Sequence, residues 1–284
     1  TIRHPINPRS LAHQLVADEN NLKKRVHTFT SSRTFTQLHL PSFPKPTCPG
    51  TPVVAEPDVP LIVLDPVKIG DFFGPEFDAT PKDRLRKNAD YLPHFARKPL
   101  LFEPGTDRRY SNGGYVVLGE IVAKASGRDY HDYVRENVYA RAGMTGTDSY
   151  DADALVPNLA EGYTRRGDGG KPGGERRRNV YSRPARGSAA GGGYSTAPDL
   201  LRFAAALLGD RLLSPAFTEW ILTRTEPLPA GPSGTAAGGA PGINAALEID
   251  RETGLVLVVL ANDDPPAAEG IAKQIRRLLE AIRP

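Results

Sequence analysis

The feature that most constrains the fold of this 284-residue chain lies near its C-terminus. Residues 243–249 and 255–260 form two apolar, β-branched runs, and the turn between them ends in glycine. This pattern predicts a β-hairpin. The helix predicted over residues 266–282 carries its apolar side chains on one stripe. A hairpin followed by an amphipathic helix predicts an α+β fold, in which helices flank an antiparallel sheet.

The preceding residues predict a mainly helical region. Thr80 before Pro81 is typical of a helix start and predicts a helix over residues 80–91. Asn112 is the predicted cap of a second helix, and Gly127 is its predicted end. The same start signals predict three further helices, which begin at Asp129, Thr196 and Ser214.

The N-terminal region differs in composition from the rest of the chain. Residues 1–68 contain one of the 28 glycines, and prolines are dense from residue 41 to residue 66. Prolines exclude a long helix over residues 41–66. The elements predicted in this region are one helix over 10–26 and one strand over 59–64. We therefore predict an irregular arm over 1–68 and one domain over 69–284. Within that domain, residues 69–210 are mostly helical, and residues 236–284 hold the hairpin and the last helix.

Charge and cysteine content exclude several classes of protein. The formal net charge is +3, so electrostatics give no reason to expect a nucleic-acid partner. The longest strongly apolar run, residues 255–261, is far shorter than the ~20 residues of a membrane span. Cys48 is the single cysteine, which excludes an intrachain disulfide framework. No stretch resembling a signal peptide opens the chain, and the compartment and the oligomeric state stay open.

Two charged segments allow more than one interpretation. The Gly- and Arg-rich residues 164–187 are either an anion-binding loop that recruits a partner or an exposed insertion. Asp263 and Asp264 are either a metal-binding pair or the entry to the last helix. A Ser-His-Asp triad that uses His94 or His131 is a further alternative.

Tyr110 and Asn112 are the residues whose position suggests chemistry. They stand where a turn meets the start of a helix, which holds side chains rigidly. A phenol with an ordinary pKa of about 10 acts as a base only where cations lower that pKa. Asn112 offers a donor and an acceptor, which suits the fixing of an amide.

Several stretches around these residues carry a family resemblance. They are residues 102–106 (FEPGT), 110–115 (YSNGGY), 118–121 (LGEI), 142–147 (AGMTGT), 190–196 (AGGGYST) and 238–242 (GGAPG). Together they resemble the serine β-lactamase family, in the branch with class C β-lactamases, D-Ala-D-Ala carboxypeptidases and related esterases. The resemblance extends over residues 69–279. It implies an all-α part and an antiparallel sheet that is formed from both ends of the chain.

The resemblance also implies a reaction and a set of site residues. The reaction is acyl transfer from a small-molecule or peptide carbonyl through a serine acyl-enzyme, with no metal or organic cofactor. Tyr110 would relay the proton of the serine, and Asn112 would hold the substrate amide and a lysine. Gly238 and Gly239 would lie near the strand that forms the oxyanion hole.

The sequence departs from the family pattern at the nucleophile. Ser42 and Lys45 form its single S-x-x-K motif, but Pro46 disfavours a helix there. Ser42 is therefore either the nucleophile or an ordinary loop serine. Residues 1–4 (TIRH) and 69–72 (IGDF) resemble pieces that the family carries almost adjacent, downstream of its serine. That match would place the nucleophile segment before residue 1.

A second departure concerns the basic strand motif of the family. Residues 236–238 read Ala-Ala-Gly where the family carries Lys-Thr-Gly or His-x-Gly, and the Pro/Gly-rich residues 228–235 predict no strand ahead of them. Two functions follow from these departures. The protein is either a serine hydrolase with weak or absent activity, or a non-catalytic pseudoenzyme or truncated remnant that binds ligands.

Overall fold

A computed structural model describes residues 27–30, 34–39, 71–102, 106–107, 109–166, 173–223 and 234–281. The helix predicted over 10–26 and the strand predicted over 59–64 lie outside these residues, as do Ser42, Lys45 and Cys48. The division of the chain at residue 68 stays a prediction.

The described residues form six α-helices and seven strands, and their bounds are as follows. The helices are α1 (Pro75–Ala79), α2 (Asn112–Ser126), α3 (Tyr130–Val134), α4 (Ala197–Leu208), α5 (Pro215–Thr223) and α6 (Ala267–Ala281). The strands are β1 (His27–Thr30), β2 (Thr34–His39), β3 (Tyr163–Thr164), β4 (Arg177–Arg178), β5 (Thr235–Ala240), β6 (Ile243–Asp250) and β7 (Leu255–Ala261).

The main sheet has five antiparallel strands in the order β1-β2-β7-β6-β5. The predicted hairpin is confirmed as β6 and β7, in which Leu247 lies opposite Val258. Strand β2 pairs with β7, so that Phe35 lies opposite Val259. Both ends of the chain therefore contribute to the sheet, as the family resemblance implied, and the α+β prediction is confirmed. Sequence analysis assigned no strand to residues 27–39.

The side chains of β7 alternate between the two faces of the sheet, and a helix covers each face. Val256 and Val258 are fully buried on one face, against a cluster from α4 that includes Leu201 and Ala204. Leu257 and Val259 point the other way, into a cluster with residues from α6. This two-residue period is what a strand buried on both faces requires. Among the described residues, none of the helices combines the length and the hydropathy of a membrane span.

The helical part is built around an aromatic cluster. Phe72, Phe77, Tyr91 and Phe95 are buried together with Val116 from the middle of α2. The rings of Phe72 and Tyr91 have centroids 4.9 Å apart. The cluster fixes α2 against the segment that begins at Asp71, and this contact positions the candidate site.

The helix predicted over residues 80–91 is wrong. Thr80 instead ends α1, and two 3₁₀ segments follow, Lys82–Arg84 and Asn88–His94. The Asp90 carboxylate accepts hydrogen bonds from the backbone N–H groups of Arg86 and Lys87, at 2.9 and 2.8 Å. Those amides are therefore bonded to a side chain rather than to helical carbonyls, which is how aspartate competes with a helix.

The other helix predictions that fall on described residues are confirmed, with two corrections. Thr196 caps α4, and Gly127 ends α2 with a positive φ of 67°. The cap of α2 is Ser111 rather than Asn112, since the Ser111 Oγ accepts from the Gly114 N–H at 3.1 Å. Helix α3, capped by Asp129, continues as a π-helical segment over Arg135–Ala140.

Candidate active site

Three polar side chains form a hydrogen-bonded chain at the start of α2. The Tyr110 hydroxyl donates to Asn112 Oδ1 at 3.0 Å. The Asn112 amide in turn donates to Asp71 Oδ2 at 2.9 Å. The structure therefore brings together Tyr110 and Asn112, the two residues that sequence analysis selected, and adds Asp71 to them.

The local fold explains why these side chains meet. Ser111 is extended, with φ of −146°, and caps the helix, so Tyr110 stands just outside α2 and Asn112 occupies its first turn. Gly113 and Gly114, the next two residues of α2, are buried. Asp71 immediately precedes Phe72, which is anchored in the aromatic cluster. The helix start and the cluster thus hold the three groups in place.

Tyr110 lies in surroundings that favour the neutral phenol. Tyr110 is 61% exposed, and its ring packs against Tyr115 with centroids 5.7 Å apart. Partial desolvation raises the pKa of Tyr110 above its ordinary value, and the nearby Tyr115 and Asp71 charges act in the same direction. The phenol therefore stays protonated at neutral pH, which agrees with its role as donor to Asn112.

Asp71 was not selected as a site residue from the sequence. It appeared there only within the segment 69–72, and 41 residues separate it from Asn112. Its Oδ1 atom is buried and has no hydrogen-bond partner in the described part of the chain. No signal in the sequence could have found it, because the burial of one carboxylate oxygen and the contact with Asn112 are properties of the fold.

Gly238 and Gly239 lie in β5, the edge strand of the sheet. Strand β5 begins at Thr235, the last residue of the stretch 228–235 for which no strand was predicted, and residues 228–233 lie outside the described part of the chain. The buried Asn244 donates to the Gly238 carbonyl at 2.9 Å and accepts from the Ala268 N–H of α6 at 2.6 Å. Asn244 therefore fixes both the edge strand and the start of α6. Neither glycine forms a hydrogen bond with Tyr110 or Asn112 among the described residues.

His94 and His131 are both buried and contact neighbouring groups of the protein. His131 is buried, and its Nε2 lies 2.8 Å from the Gly187 carbonyl. His94 is also buried and packs edge-on against Phe77 with centroids 5.8 Å apart. His131 Nδ1 also lies 3.4 Å from Asp129 Oδ1, but the Gly187 carbonyl occupies Nε2, the nitrogen that a triad serine would need.

Side chains of the two charged segments, residues 164–187 and 263–264, bind other groups of the protein. Asp264 accepts from the backbone N–H groups of Arg165 and Gly242, both at 2.8 Å. Although burial raises the pKa of Asp264, these bonds and one with Thr164 hold it below its ordinary value. Arg178 pairs with Glu161, and the Arg176 guanidinium lies 3.8 Å from Asp263. Within the described residues, no group of three His, Cys, Asp or Glu side chains is arranged to hold a metal ion.

Comparison with known proteins assigns the family. The Beta-lactamase family model matches residues 70–282. The chain belongs to the Beta-lactamase family. The match includes Asp71, Tyr110 and Asn112, and it extends through β5 to the end of the described part of α6.

Individual relatives agree with this membership in the Beta-lactamase family. A serine beta-lactamase-like protein LACTB, mitochondrial, from Mus musculus is 30% identical over 131 residues, which are 45% of this chain and 22% of that protein. The chain thus aligns with about a fifth of that relative's length. The crystal structure of a penicillin binding protein from Bacillus halodurans has a TM-score of 0.67 and 28% identity, and the match covers 75% of this chain and 71% of that one. A D-amino acid amidase from Ochrobactrum anthropi SV3 shares the fold, with a TM-score of 0.61 and 24% identity over 77% of this chain and 70% of that one.

Proposed function

We propose that this protein binds compounds with an amide or ester carbonyl, such as β-lactams, D-alanyl peptides or simple esters, and transfers their acyl group slowly. The hydrogen bond between Tyr110 and Asn112 at the start of α2, in a chain of the Beta-lactamase family, is the observation that supports the proposal. Ser42 is the candidate nucleophile, and Lys45 is its candidate neighbour.

The proposed reaction has two steps. The serine oxygen attacks the carbonyl carbon and gives its proton to the phenolate form of Tyr110. Tyr110 then passes that proton to the leaving nitrogen or oxygen as its bond to the carbonyl carbon breaks. Water then attacks the acyl-enzyme, releases the acid and restores the serine. The edge strand that holds Gly238 would offer backbone N–H groups to the carbonyl oxygen, as an oxyanion hole does.

The described residues favour a slow reaction for two reasons. Tyr110 has to lose its proton before it can accept one, and its pKa is raised. Each unit of increase leaves about tenfold less phenolate at neutral pH. Strand β5 also carries no basic residue whose positive charge could lower the pKa of Tyr110.

Tyr110-dependent turnover should therefore rise with pH. Below its pKa, the phenolate fraction increases about tenfold per pH unit, so the logarithm of kcat/KM for a neutral ester should climb with a slope near one from pH 7 to beyond 9. Initial rates, corrected for spontaneous ester hydrolysis and compared with those of Tyr110→Phe, measure this slope. A plateau at neutral pH in the Tyr110-dependent part would contradict it.

A second candidate function is ligand binding without catalysis. It is favoured by the closed hydrogen-bond chain, because both polar atoms of Asn112 are occupied by Tyr110 and Asp71. To hold a substrate amide, Asn112 has to exchange one of these bonds. A ligand that takes over one of these hydrogen bonds can bind reversibly, and reversible binding requires no nucleophile.

Covalent labelling separates the two functions. The protein is incubated with a fluorescent penicillin and, separately, with a fluorophosphonate, and any adduct is mapped by peptide mass spectrometry. We expect slow, stoichiometric labelling of Ser42 that is lost in Lys45→Ala and slowed in Tyr110→Phe. The same change at the 91% exposed Tyr181 is the matched control and should leave labelling unchanged.

Other labelling results would change the assignment. An adduct on a different serine would replace Ser42 as the nucleophile. Ligand binding by folded protein without any adduct would establish the non-catalytic function. Absence of both labelling and binding would refute both functions.

A further inference from the structure

A cavity of about 210 Å³ lies between α3, with its π-helical continuation, and the glycine-rich loop that contains Gly191 and Gly193. The side chains that give the cavity its character are Tyr130, His131, Val134, Tyr139, Ser149 and Ser188. Its lining includes neither Asp71 nor Tyr110 nor Asn112, so the cavity is separate from the candidate active site. Gly191 and Gly193 also line it and are exposed, so the cavity opens to solvent on the side of the loop.

The volume of the cavity sets the size of a ligand that fits it. An apolar cavity of about 150 Å³ holds one benzene molecule. A cavity of about 210 Å³ therefore accommodates one six-membered ring with one short substituent.

Aromatic and aliphatic side chains form much of the wall. The rings of Tyr130 and His131 meet edge-on with centroids 5.4 Å apart, and Val134 and Tyr139 lie beside them. Burial raises the pKa of Tyr130, and it raises the pKa of Tyr139 to about 12, so both phenols are neutral at neutral pH. Such a wall favours a ring as ligand, because aromatic pairs attract each other in offset and edge-on arrangements.

The charged groups around the cavity are already paired within the protein. Asp148 lines the cavity, and its carboxylate accepts from the Arg135 guanidinium at 2.7 and 3.2 Å. The His131 ring has Nε2 2.8 Å from the Gly187 carbonyl oxygen and Nδ1 3.4 Å from an Asp129 carboxylate oxygen, so any charge on the ring is matched. A charged ligand would have to break one of these pairs or enter without a counter-ion, and both cost free energy. The cavity therefore favours a neutral ligand.

Two serines contribute hydroxyl groups to the lining. Ser149 is buried and Ser188 is half-buried. A hydroxyl group both donates and accepts hydrogen bonds. Small-molecule sites are typically apolar with a few polar groups that fix the orientation of the ligand. A neutral ring compound with one hydroxyl group matches this lining.

We propose that this cavity is a second binding site of the protein, which takes a small, neutral aromatic alcohol or phenol. The ring would pack against Tyr130, Val134 and Tyr139, and the hydroxyl group would bond to Ser149 or Ser188. The proposal does not depend on the proposed function, because such a ligand needs neither an acyl group nor a nucleophile.

Three probes with the same ring test the size and the charge preference of the site. Benzyl alcohol is neutral, whereas at about pH 7 benzylamine is a cation and benzoate is an anion. Ligand-observed NMR titrations should give a Kd of about 0.1–1 mM for benzyl alcohol and at least about tenfold weaker binding of the two charged probes. In isotope-labelled protein, benzyl alcohol should shift the amide signals of Tyr130, Ser149 and Ser188.

Val134→Phe should block the site, since the added ring occupies the space of the ligand. We expect it to weaken binding of benzyl alcohol at least about tenfold. Val180→Phe is the matched control, because Val180 is 44% exposed and does not line the cavity, and it should leave the Kd unchanged. If Val134→Phe does not fold, the amide shifts of the unmodified protein still locate the ligand.

Three results would overturn the proposal. The first is a Kd for benzyl alcohol above about 10 mM. The second is equal binding of all three probes, since the paired charges would then impose no selection. The third is a set of amide shifts at Tyr110 and Asn112 instead, which would place the ligand in the candidate active site. The labelling of Ser42 tests the proposed function independently of all three.

Discussion

Replacing Asp199 by alanine is expected to lower the free energy of unfolding by about 3–5 kcal/mol. Its side chain is 1% exposed and accepts from the Gly146 N–H and the Thr147 hydroxyl, both at 2.7 Å, and from Arg202 at 2.6 Å. In the alanine variant, the donors on Gly146, Thr147 and Arg202 lose their acceptor at a fully buried position. Hydrogen bonds to a charged acceptor contribute about 1.5–3 kcal/mol each, and the bonds to Gly146 and Thr147 are short.

The effect matters for the whole domain because of where Asp199 lies. It occupies the first turn of α4, the helix that covers one face of the sheet, and it ties that helix to the loop at residues 146–147. Its loss therefore loosens the contact between the helical part and the sheet. Chemical denaturation with matched slopes gives the change in free energy, and a thermal melt should show a decrease of about 10 °C.

Asp83→Ala is the matched control for this prediction. Asp83 is exposed in a 3₁₀ segment, so its replacement should stay within about 0.5 kcal/mol of the unmodified protein. Asp199→Asn keeps one acceptor oxygen and should fall between the two. Equal stability of Asp199→Ala and Asp83→Ala would show that the buried carboxylate contributes nothing.

Two adjacent glycines of β5 are expected to respond to alanine in opposite ways. A Cβ on Gly239 would lie 2.4 Å from Pro265 Cγ and 2.9 Å from Asn244 Nδ2. Pro265 is rigid, and Asn244 is held between β5 and α6, so neither side chain can easily yield. Gly239→Ala should therefore cost about 2–3 kcal/mol, the upper part of the usual range for overpacking.

Gly238→Ala is the matched partner of that variant. A Cβ there meets nothing within 4 Å, and alanine costs less backbone entropy than glycine in a strand. Its stability should be unchanged or higher by up to about 1 kcal/mol. Denaturation of both variants under identical conditions measures the difference in the free energy of unfolding. Equal stability of the two variants would contradict the close packing of Pro265 against Gly239.

The part of the site that sequence analysis predicted is the part encoded locally. Tyr110 and Asn112 stand within three residues of each other, next to helix-start chemistry that short-range patterns indicate well. Asp71 could not be selected in the same way, since its contact with Asn112 spans 41 residues and depends on how the aromatic cluster packs. Tyr115 was visible only as part of a motif, and its exposure beside Tyr110 is a property of the folded surface.

The same distinction explains the errors in the fold. The helix predicted over 80–91 followed from a correct start signal, but the Asp90 side chain captures two backbone N–H groups there. Strand β5 was missed because glycine and alanine carry almost no strand preference, and it forms because β6 offers an unpaired edge. Strand β2 was missed because its partner β7 lies more than 200 residues away in the sequence.

The sequence by itself determined the hairpin of β6 and β7, the amphipathic α6, the caps of α3 and α4, and the family to which the motifs belong. All of these depend on side chains close to one another in the chain, where spacing reports structure directly. Only the tertiary structure decided that the two ends of the chain share a sheet, that Asp199 joins α4 to a distant loop, and that Asp71 completes the candidate site. Those contacts form between segments far apart in the chain, and burial selects them rather than local preference.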